Sequence, residues 1–554
     1  MQSRSLSVFA RTGILESMSE TVLDLLVIGG GITGAGIALD AAARGLAVGL
    51  VEKQDFAAGT SSRSTKLIHG GLRYLKQGEV GLVREVGRER AILFRNAPHI
   101  VIPEKMLLPL VQGGTYGKLA TSAGLWLYDR LAGVEKAERR IMLSKEETAK
   151  REPLLRTDIL KGGGLYYEYR TDDARLTIEV IKTAAAHGAM CVNYAEAAEL
   201  VNEGGKLAAV IVRDVLNGGA PYRIRAKKVV NATGPWADLL RRQDGSLTGK
   251  RLHLTKGVHL VVARERLPLR QSVYFDVADG RMVFAIPRDG TTYIGTTDTD
   301  YDGPLEQPAV TRGDVEYLLN AVNGMFPSVR LQPEHVESSW AGLRPLIHED
   351  GKSPSELSRK DEIFVSPSGL ITIAGGKLTG YRKMAERVVD LVFRQLGEEE
   401  GRSFVPCGTD RIVLSGGRLP KRPAEYAADL RERFSYAGEE AVRLVYRYGT
   451  GAESILQRGK EEIGNHGEMN IESVRQTLLM SELDYALREE MVCAPEDFVI
   501  RRTGDLYFRR RQLNGMLPVL VEGFARAFGW DEAHANTMRE RLEAVCEAAV
   551  RFET

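Results

Sequence analysis

Four cysteines in 554 residues, Cys191, Cys407, Cys493 and Cys546, stand far apart. That spacing leaves no CxxC pair for zinc, an iron–sulfur cluster or dithiol redox chemistry. It also suits a reducing compartment, and the expected location is the cytoplasm. The nine histidines form no HExxH or HxH, so no protein-held metal is expected. Charge of one sign is not in excess: 75 Lys+Arg against 74 Asp+Glu give a net charge of +1. This lacks the basic footprint of a nucleic-acid binder, and any anion site must be local. No stretch reaches the ~18 uncharged apolar residues of a membrane-spanning helix. The N-terminal MQSRSLSVFARTGILESMSE carries Arg4, Arg11 and Glu16 and lacks the apolar core of a signal peptide. Internal repeats and low-complexity tracts are absent too.

What is present begins at Asp24. The run DLLVIG reads as a buried parallel strand, and it leads through Gly29-Gly-Gly31-Ile32-Thr33-Gly34 into the helix-like AGIALDAAARG. In that context GxGxxG has a mechanism. Gly29 makes the tight turn, Gly31 lets the backbone approach a pyrophosphate, and Gly34 lets helix pack on strand. The helix start offers its N–H groups to the phosphates. A second strand, AVGLVE, ends at Glu52, where an acid would bond a ribose hydroxyl.

The fingerprint does not separate NAD from FAD. Two distant segments, VVNATGPW (229–236) and ITIAGGKLTG (371–380), also end strands in small residues and N–H donors. A site fed from near residues 30, 60, 233 and 376 suits a long, buried FAD. Between them GTSSRSTKLIHGGLRYL (59–75) packs hydroxyls, a lysine, a histidine and an arginine into one segment, a mixture with no use in a core.

These motifs, with YRTDDARL, KGVHLV, IGTTDTD, WAGLRPL and AGGKLTGYRKMAE, resemble the FAD-dependent, respiratory glycerol-3-phosphate dehydrogenase family, in order and over nearly the whole chain. The resemblance implies an α/β fold. A discontinuous, glutathione-reductase-like FAD-binding Rossmann domain (20–95, 170–245 and 340–395) is joined by an inserted antiparallel-sheet substrate domain (96–169 and 246–339). A helical C-terminal domain (396–554) follows. The implied reaction oxidises sn-glycerol 3-phosphate to dihydroxyacetone phosphate, with electrons passed from FAD to membrane quinone. The implied setting is the inner face of the cell membrane, with peripheral contact; a homodimer is left open.

The resemblance also implies site residues. Gly29, Gly31, Ile32, Thr33, Gly34, Glu52 and Lys53 hold FAD from the first βαβ unit. Thr60, Ser61, Ser62 and Lys66 serve its pyrophosphate and ribityl regions, and His69, Gly70, Gly71 and Leu72 lie along the ring. Ala197, Ala232, Thr233, Gly234, Trp236, Arg344, Gly376, Lys377, Leu378 and Thr379 complete the cofactor shell. Arg73, Arg344 and Lys377 match family positions associated with the substrate phosphate and active centre, with Tyr74 beside them. Arginine's planar fork suits a phosphate, and each of these cations is embedded in glycine and apolar residues, as a pocket requires.

The C2 hydroxyl of the substrate needs a base. His259, in the β-like LHLTKGVHLVV, is the first candidate, since its ordinary pKa is near neutrality. A packed strand histidine is the alternative. Arg344 stays protonated and is a poor base, whereas Lys377 becomes one if burial lowers its pKa. Asp298 and Asp300 lack the further ligands of a calcium loop and read as turn chemistry. Leu107 to Leu131, with Trp126 and Tyr128, reads as apolar core, with a membrane- or quinone-facing surface as the alternative.

Beyond residue 395 a linker-like stretch, Pro406 to Pro423, precedes helical periods in AEYAADLRERF and Glu472 to Val492. Arg501, Arg502, Arg509, Arg510 and Arg511 form a basic cluster, read as a solvated face or one that lies on anionic lipid. Three rivals remain: a glycerol-3-phosphate oxidase using oxygen, an amine oxidase, and a flavin-binding scaffold. Oxidases often carry a mid-chain insertion that this chain lacks.

Overall fold

The computed structural model describes residues 5–69, 80–114, 139–348, 361–466 and 470–553. Two sheets organise them. In the first, strands run in the order Glu362–Val365, Ile371–Ala374, Ala220–Asn231, Val22–Ile28, Val48–Val51, Met190–Val192. The four neighbour pairs from Ile371–Ala374 to Met190–Val192 are parallel. Val22–Ile28 is buried from its second residue onward, as its near-continuous apolar sequence predicts for a central parallel strand. The hairpin Ala195–Glu203 and Lys206–Asp214 extends the sheet antiparallel to Ala220–Asn231.

The helix Ile32–Ala43 follows the first strand across the Gly29–Gly34 turn. Its small residues are required by close approach. A Cβ on Gly34 would stand 1.9 Å from the Gly29 carbonyl oxygen, and one on Gly36 would stand 2.7 Å from the Tyr381 ring at the start of helix Tyr381–Glu400.

The second sheet has ten strands, among them Leu67–Ile68, Ile102–Val111, Leu160–Arg170, Leu252–Ala263, Thr291–Gly295 and Val336–Ile347. The long pair Leu252–Ala263 and Val336–Ile347 runs antiparallel and sets His259 opposite Trp340 and Thr255 opposite Arg344. Period-two alternation then sorts the side chains. Val258, Leu260 and Val262 face helix Arg312–Met325 through Leu318 and Val322, with Phe326 packing just beyond its end. Val261, Tyr293 and Trp340 face Phe498, Tyr507, Phe508 and Phe524 of the C-terminal region.

The sheet reaches further than the boundary drawn at 340. That residue lies within Val336–Ile347, whose antiparallel pairing holds it in the second sheet to Ile347. Leu67–Ile68, inside the expected 20–95 segment, likewise pairs with the second sheet.

The C-terminal region is helical, with Pro423–Arg433, Glu439–Tyr448, Gly451–His466, Ile471–Glu489, Leu517–Phe528 and Glu532–Ala548. Its basic cluster is not one continuous solvated or lipid-facing surface, because its first two members are buried. Arg501 and Arg502 are buried on Asp55, Arg509 pairs with Glu440, and Arg511 pairs with Glu337. Buried guanidinium needs counter-charge, and carboxylates from other elements supply it. No helix among the described residues is long and apolar enough to cross a membrane. Trp126 and Tyr128 lie outside the described residues.

The Gly34 contact yields a prediction. Gly34→Ala forces the turn open and lowers the thermal midpoint, at an overpacking cost of about 1–3 kcal/mol. Differential scanning fluorimetry of the purified variant checks it; an unchanged midpoint contradicts the packing argument.

Candidate active site

Between the two sheets lies one cavity of about 490 Å³, drawn from segments hundreds of residues apart. At one end the first βαβ unit supplies Gly29, Gly31, Ile32, Thr33, Glu52 and Lys53, and Ala197, Ala232, Thr233, Gly234 and Trp236 face them. The Glu52 carboxylate accepts from the Gly30 amide at 2.7 Å and the Gln54 amide at 2.9 Å. Its burial raises its pKa above the ordinary value, against those two bonds. Each carboxylate oxygen keeps a second lone pair for a ligand hydroxyl.

The helix start is prepared for an anion. Ser61 Oγ accepts from the Ile32 amide at 2.9 Å, so its own proton is available to the cavity it lines. Thr60 donates to the Leu343 carbonyl at 2.7 Å, tying this loop to the second sheet. Lys53 and Trp236 are bridged by Glu306, which accepts from Lys53 Nζ at 2.8 Å and from the indole N–H at 3.0 Å.

At the other end stand His69, His259, Arg344, Gly376, Lys377, Leu378 and Thr379. Gly375 and Gly376 adopt φ of +75° and +83°, which glycine tolerates. Arg344 donates from one terminal nitrogen to Asp298 at 3.0 Å and the Thr297 carbonyl at 3.2 Å, and from the other to Thr296 at 2.9 Å. Gly257 makes room for it; a Cβ there would stand 2.2 Å from the guanidinium.

His259 stacks on Trp340 with ring centroids 4.8 Å apart and 9° between planes. Its Nε2 lies 2.9 Å from Thr65 Oγ1. Burial, then the charges of Arg344 and Lys66, hold its pKa well below the ordinary value. The ring is therefore held neutral, and its proton affinity stays reduced for as long as these charges are not offset.

Three expected cofactor residues do not line the cavity. Gly34 packs helix on strand, as above. Ser62 is buried beneath the loop. Lys66 turns away to Asp173 and the Ser62 carbonyl, beside the rings of Trp340 and Tyr507. Burial opposes its charge, yet Asp173 and Asp172 more than offset this and raise its pKa. A lysine among aromatic rings follows its counter-ion. Asp298 and Asp300 are not merely turn residues either: Asp298 holds Arg344, and Asp300 accepts from His253 at 2.7 Å. Gly70, Gly71, Leu72, Arg73 and Tyr74 lie outside the described residues.

Sequence reading missed Arg63, Thr65, Asp298 and Trp340. Arg63 lines the cavity and donates to the Glu306 carbonyl at 3.2 Å, and its burial lowers its pKa. The acids of GTTDTD were the only local signal for Asp298; that one of them meets Arg344, 46 residues on, comes from the fold. Nothing local marks Trp340, whose role comes from strand register.

Comparison with known proteins fits this geometry. Residues 24–382 match the family model described as FAD dependent oxidoreductase, and 407–535 match the C-terminal domain of alpha-glycerophosphate oxidase. The chain is 51% identical over 561 residues to the aerobic glycerol-3-phosphate dehydrogenase of Bacillus subtilis, covering 99% of each. This chain belongs to the FAD-dependent glycerol-3-phosphate dehydrogenase family. The Staphylococcus aureus dehydrogenase is 48% identical over 552 residues, with 98% of each chain covered. The solved glycerol-3-phosphate dehydrogenase of Bacillus halodurans, complexed with FAD, superposes with TM-score 0.83 at 45% identity over 99% of both chains. An L-alpha-glycerophosphate oxidase of Mycoplasma pneumoniae shares the fold alone, with TM-score 0.55 and 20% identity over 67% of this chain and 95% of its own.

FAD is this family's cofactor, and the residues present fit it. The cavity joins a ribose-type acid, a helix start with a hydroxyl on its first free amide, and a broad end walled by glycines.

The depressed His259 pKa has a sign that can be tested. The unfolded chain protonates this ring near ~6.5. The fold does not, so neutral His259 contributes stability above that pH and loses it as pH falls toward the lowered folded value. In histidine-selective NMR, the signal absent from His259→Gln keeps neutral-imidazole shifts at pH values where exposed histidines are already protonated. A titration centred near ~6.5 contradicts the assignment.

Proposed function

We propose that this chain oxidises sn-glycerol 3-phosphate to dihydroxyacetone phosphate and passes the electrons to membrane quinone as a peripheral protein of the cytoplasmic membrane face. The observation that carries the reading is the convergence of a neutral His259 and the Arg344 guanidinium at one end of the cofactor cavity. A cation for the phosphate and a base for the hydroxyl are what this substrate needs. The names of relatives near 50% identity support it.

Arg344 is preset by Asp298, Thr296 and the Thr297 carbonyl, so little ordering is needed when it meets the phosphate. Lys377, Arg73 and Tyr74 complete the anion shell in this reading. His259 Nε2 takes the C2 hydroxyl proton, and Thr65 orients the ring before substrate arrives. The stacked Trp340 fixes the ring plane. An entering phosphate also offsets the Arg344 charge that depresses the imidazole pKa, which strengthens the base when it is needed. Bound FAD supplies the two-electron acceptor for the hydride leaving C2.

The match to an alpha-glycerophosphate oxidase C-terminal domain favours one second reading, with oxygen as acceptor. Anaerobic addition of glycerol 3-phosphate to the FAD-loaded protein bleaches the flavin absorbance, and persistent colour overturns the substrate. A quinone chase then restores the colour faster than oxygen does; peroxide formed at the turnover rate without quinone selects the oxidase instead.

Arg344→Lys keeps the charge and loses the fork. KM for glycerol 3-phosphate rises roughly 10–100-fold, the range of one charge-assisted hydrogen bond, with FAD content unchanged. Gly257→Ala, which intrudes on the same guanidinium, shifts KM in the same direction. Steady-state kinetics with flavin quantitation separate these from cofactor loss.

A further inference from the structure

The basic run Arg501–Arg502 has no place in the chemistry above, yet it is among the most buried charge in the molecule. Arg502 is 1% exposed and Asp55 is 0% exposed. The two form a parallel fork: Arg502 Nη1 donates to Asp55 Oδ2 and Nη2 to Oδ1, each at 2.8 Å. Arg501 Nε adds a third bond to Asp55 at 2.5 Å, and the Asn193 side chain a fourth at 2.9 Å. The arginines are themselves held. Arg502 also donates to the Glu490 carbonyl at 2.8 Å, and Arg501 pairs with Asp497. Asp497 in turn accepts from Tyr194 at 2.8 Å and from the Cys493 and Ala494 amides.

Asp55 sits at the root of the cofactor loop. Glu52, Lys53 and Gln54 before it line the cavity, as do Ala58, Gly59, Thr60 and Ser61 after it. Asp55 and Phe56 turn the other way and are fully buried. The loop changes direction at Ala57, which adopts φ of +62° with its amide on the Gly30 carbonyl. An alanine gains nothing from that conformation by itself. Something must hold the chain on both sides of it: Glu52 ties the loop's start to the Gly30 and Gln54 amides, and Asp55, two residues before Ala57, is the charged side chain that ties it to the C-terminal region. The far end of the loop is pinned separately, by Asp173 on the Ser64 amide and Lys66.

We propose that Arg501 and Arg502 of the C-terminal region are positioning residues for the cofactor loop 52–61, acting through Asp55, so that the C-terminal region sets how tightly the protein holds FAD. The charges are complementary without a ligand, so the clamp orders the loop before FAD enters. Ordering in advance lowers the cost of binding and slows release. Both arginines overcome the burial of Asp55 and draw its pKa down to about 2, so Asp55 itself stays charged, whereas burial and the Asp55 charge push Asp497, on the far side of Arg501, up to about 7.

The test uses holoenzyme and follows FAD release by flavin fluorescence after dilution, together with the visible circular dichroism of the bound flavin. Arg502→Gln and Asp55→Asn release FAD at least about tenfold faster and alter the dichroism, since loop ordering is what the clamp adds to binding. Arg502→Lys, which keeps charge without the fork, falls between. The control is Arg447→Gln, which breaks buried pairs with Glu482 and Asp505 within the C-terminal region and does not touch the loop. It lowers the thermal midpoint but leaves FAD release within about twofold of the parent. If Arg502→Gln does not fold, Asp55→Asn and Arg501→Lys carry the same comparison. The proposal is overturned if the clamp variants release FAD no faster than Arg447→Gln at a matched loss of midpoint, or if their flavin dichroism equals that of the parent.

Discussion

A buried cation must find a counter-charge, and around the cavity and its loop three aspartates settle where four of the cations point. Asp173 draws Lys66 away from the cavity. Asp298 holds Arg344 at the cavity's edge, where its guanidinium still lines the space. Asp55 gathers Arg501 and Arg502 beneath the cofactor loop. Cations of one chemical kind thereby serve three purposes: packing a loop from behind, presenting charge to a ligand, and joining a helical region to a Rossmann-type sheet.

The same pairing shapes His259. Lys66 and Arg344 both lie close enough to depress its pKa, and both are held in place by their aspartates. Trp340 is the mechanical link. One side stacks on His259 and the indole N–H donates to the Ser64 carbonyl at 3.2 Å, while Tyr507 packs against it with centroids 5.0 Å apart. The candidate base thus touches the segment just after the cofactor loop through Thr65, and the C-terminal region through Trp340 and Tyr507. A region without catalytic side chains of its own in this way backs the candidate site from behind, one layer outside the residues that line the cavity.

Glycines do the complementary work of leaving space. Gly257 and Gly295 lie beside Arg344 and His259 with no room for a Cβ. Each sits on a strand next to a strand carrying a large polar side chain, which is how an antiparallel sheet admits an arginine and an imidazole into a packed layer. The turn at Gly29–Gly34 obeys the same constraint at the cofactor's phosphate end.

Much of this was legible in the chain itself, because some chemistry is local. The strand, glycine turn, helix and acid of residues 24–52 are a contiguous mechanism, and the motifs around His259, Arg344 and Lys377 carry both their residue types and their glycine settings. What could not be read locally depends on partners far away in sequence. Nothing near Lys66 says that Asp173 will claim it, and a run of arginines at 501–511 looks like a solvated surface until Asp55, 446 positions earlier, is found beneath it. Local spacing determines which backbone turns and strands form. Only the packed structure decides which charges meet, because desolvation makes each buried cation choose its nearest available carboxylate.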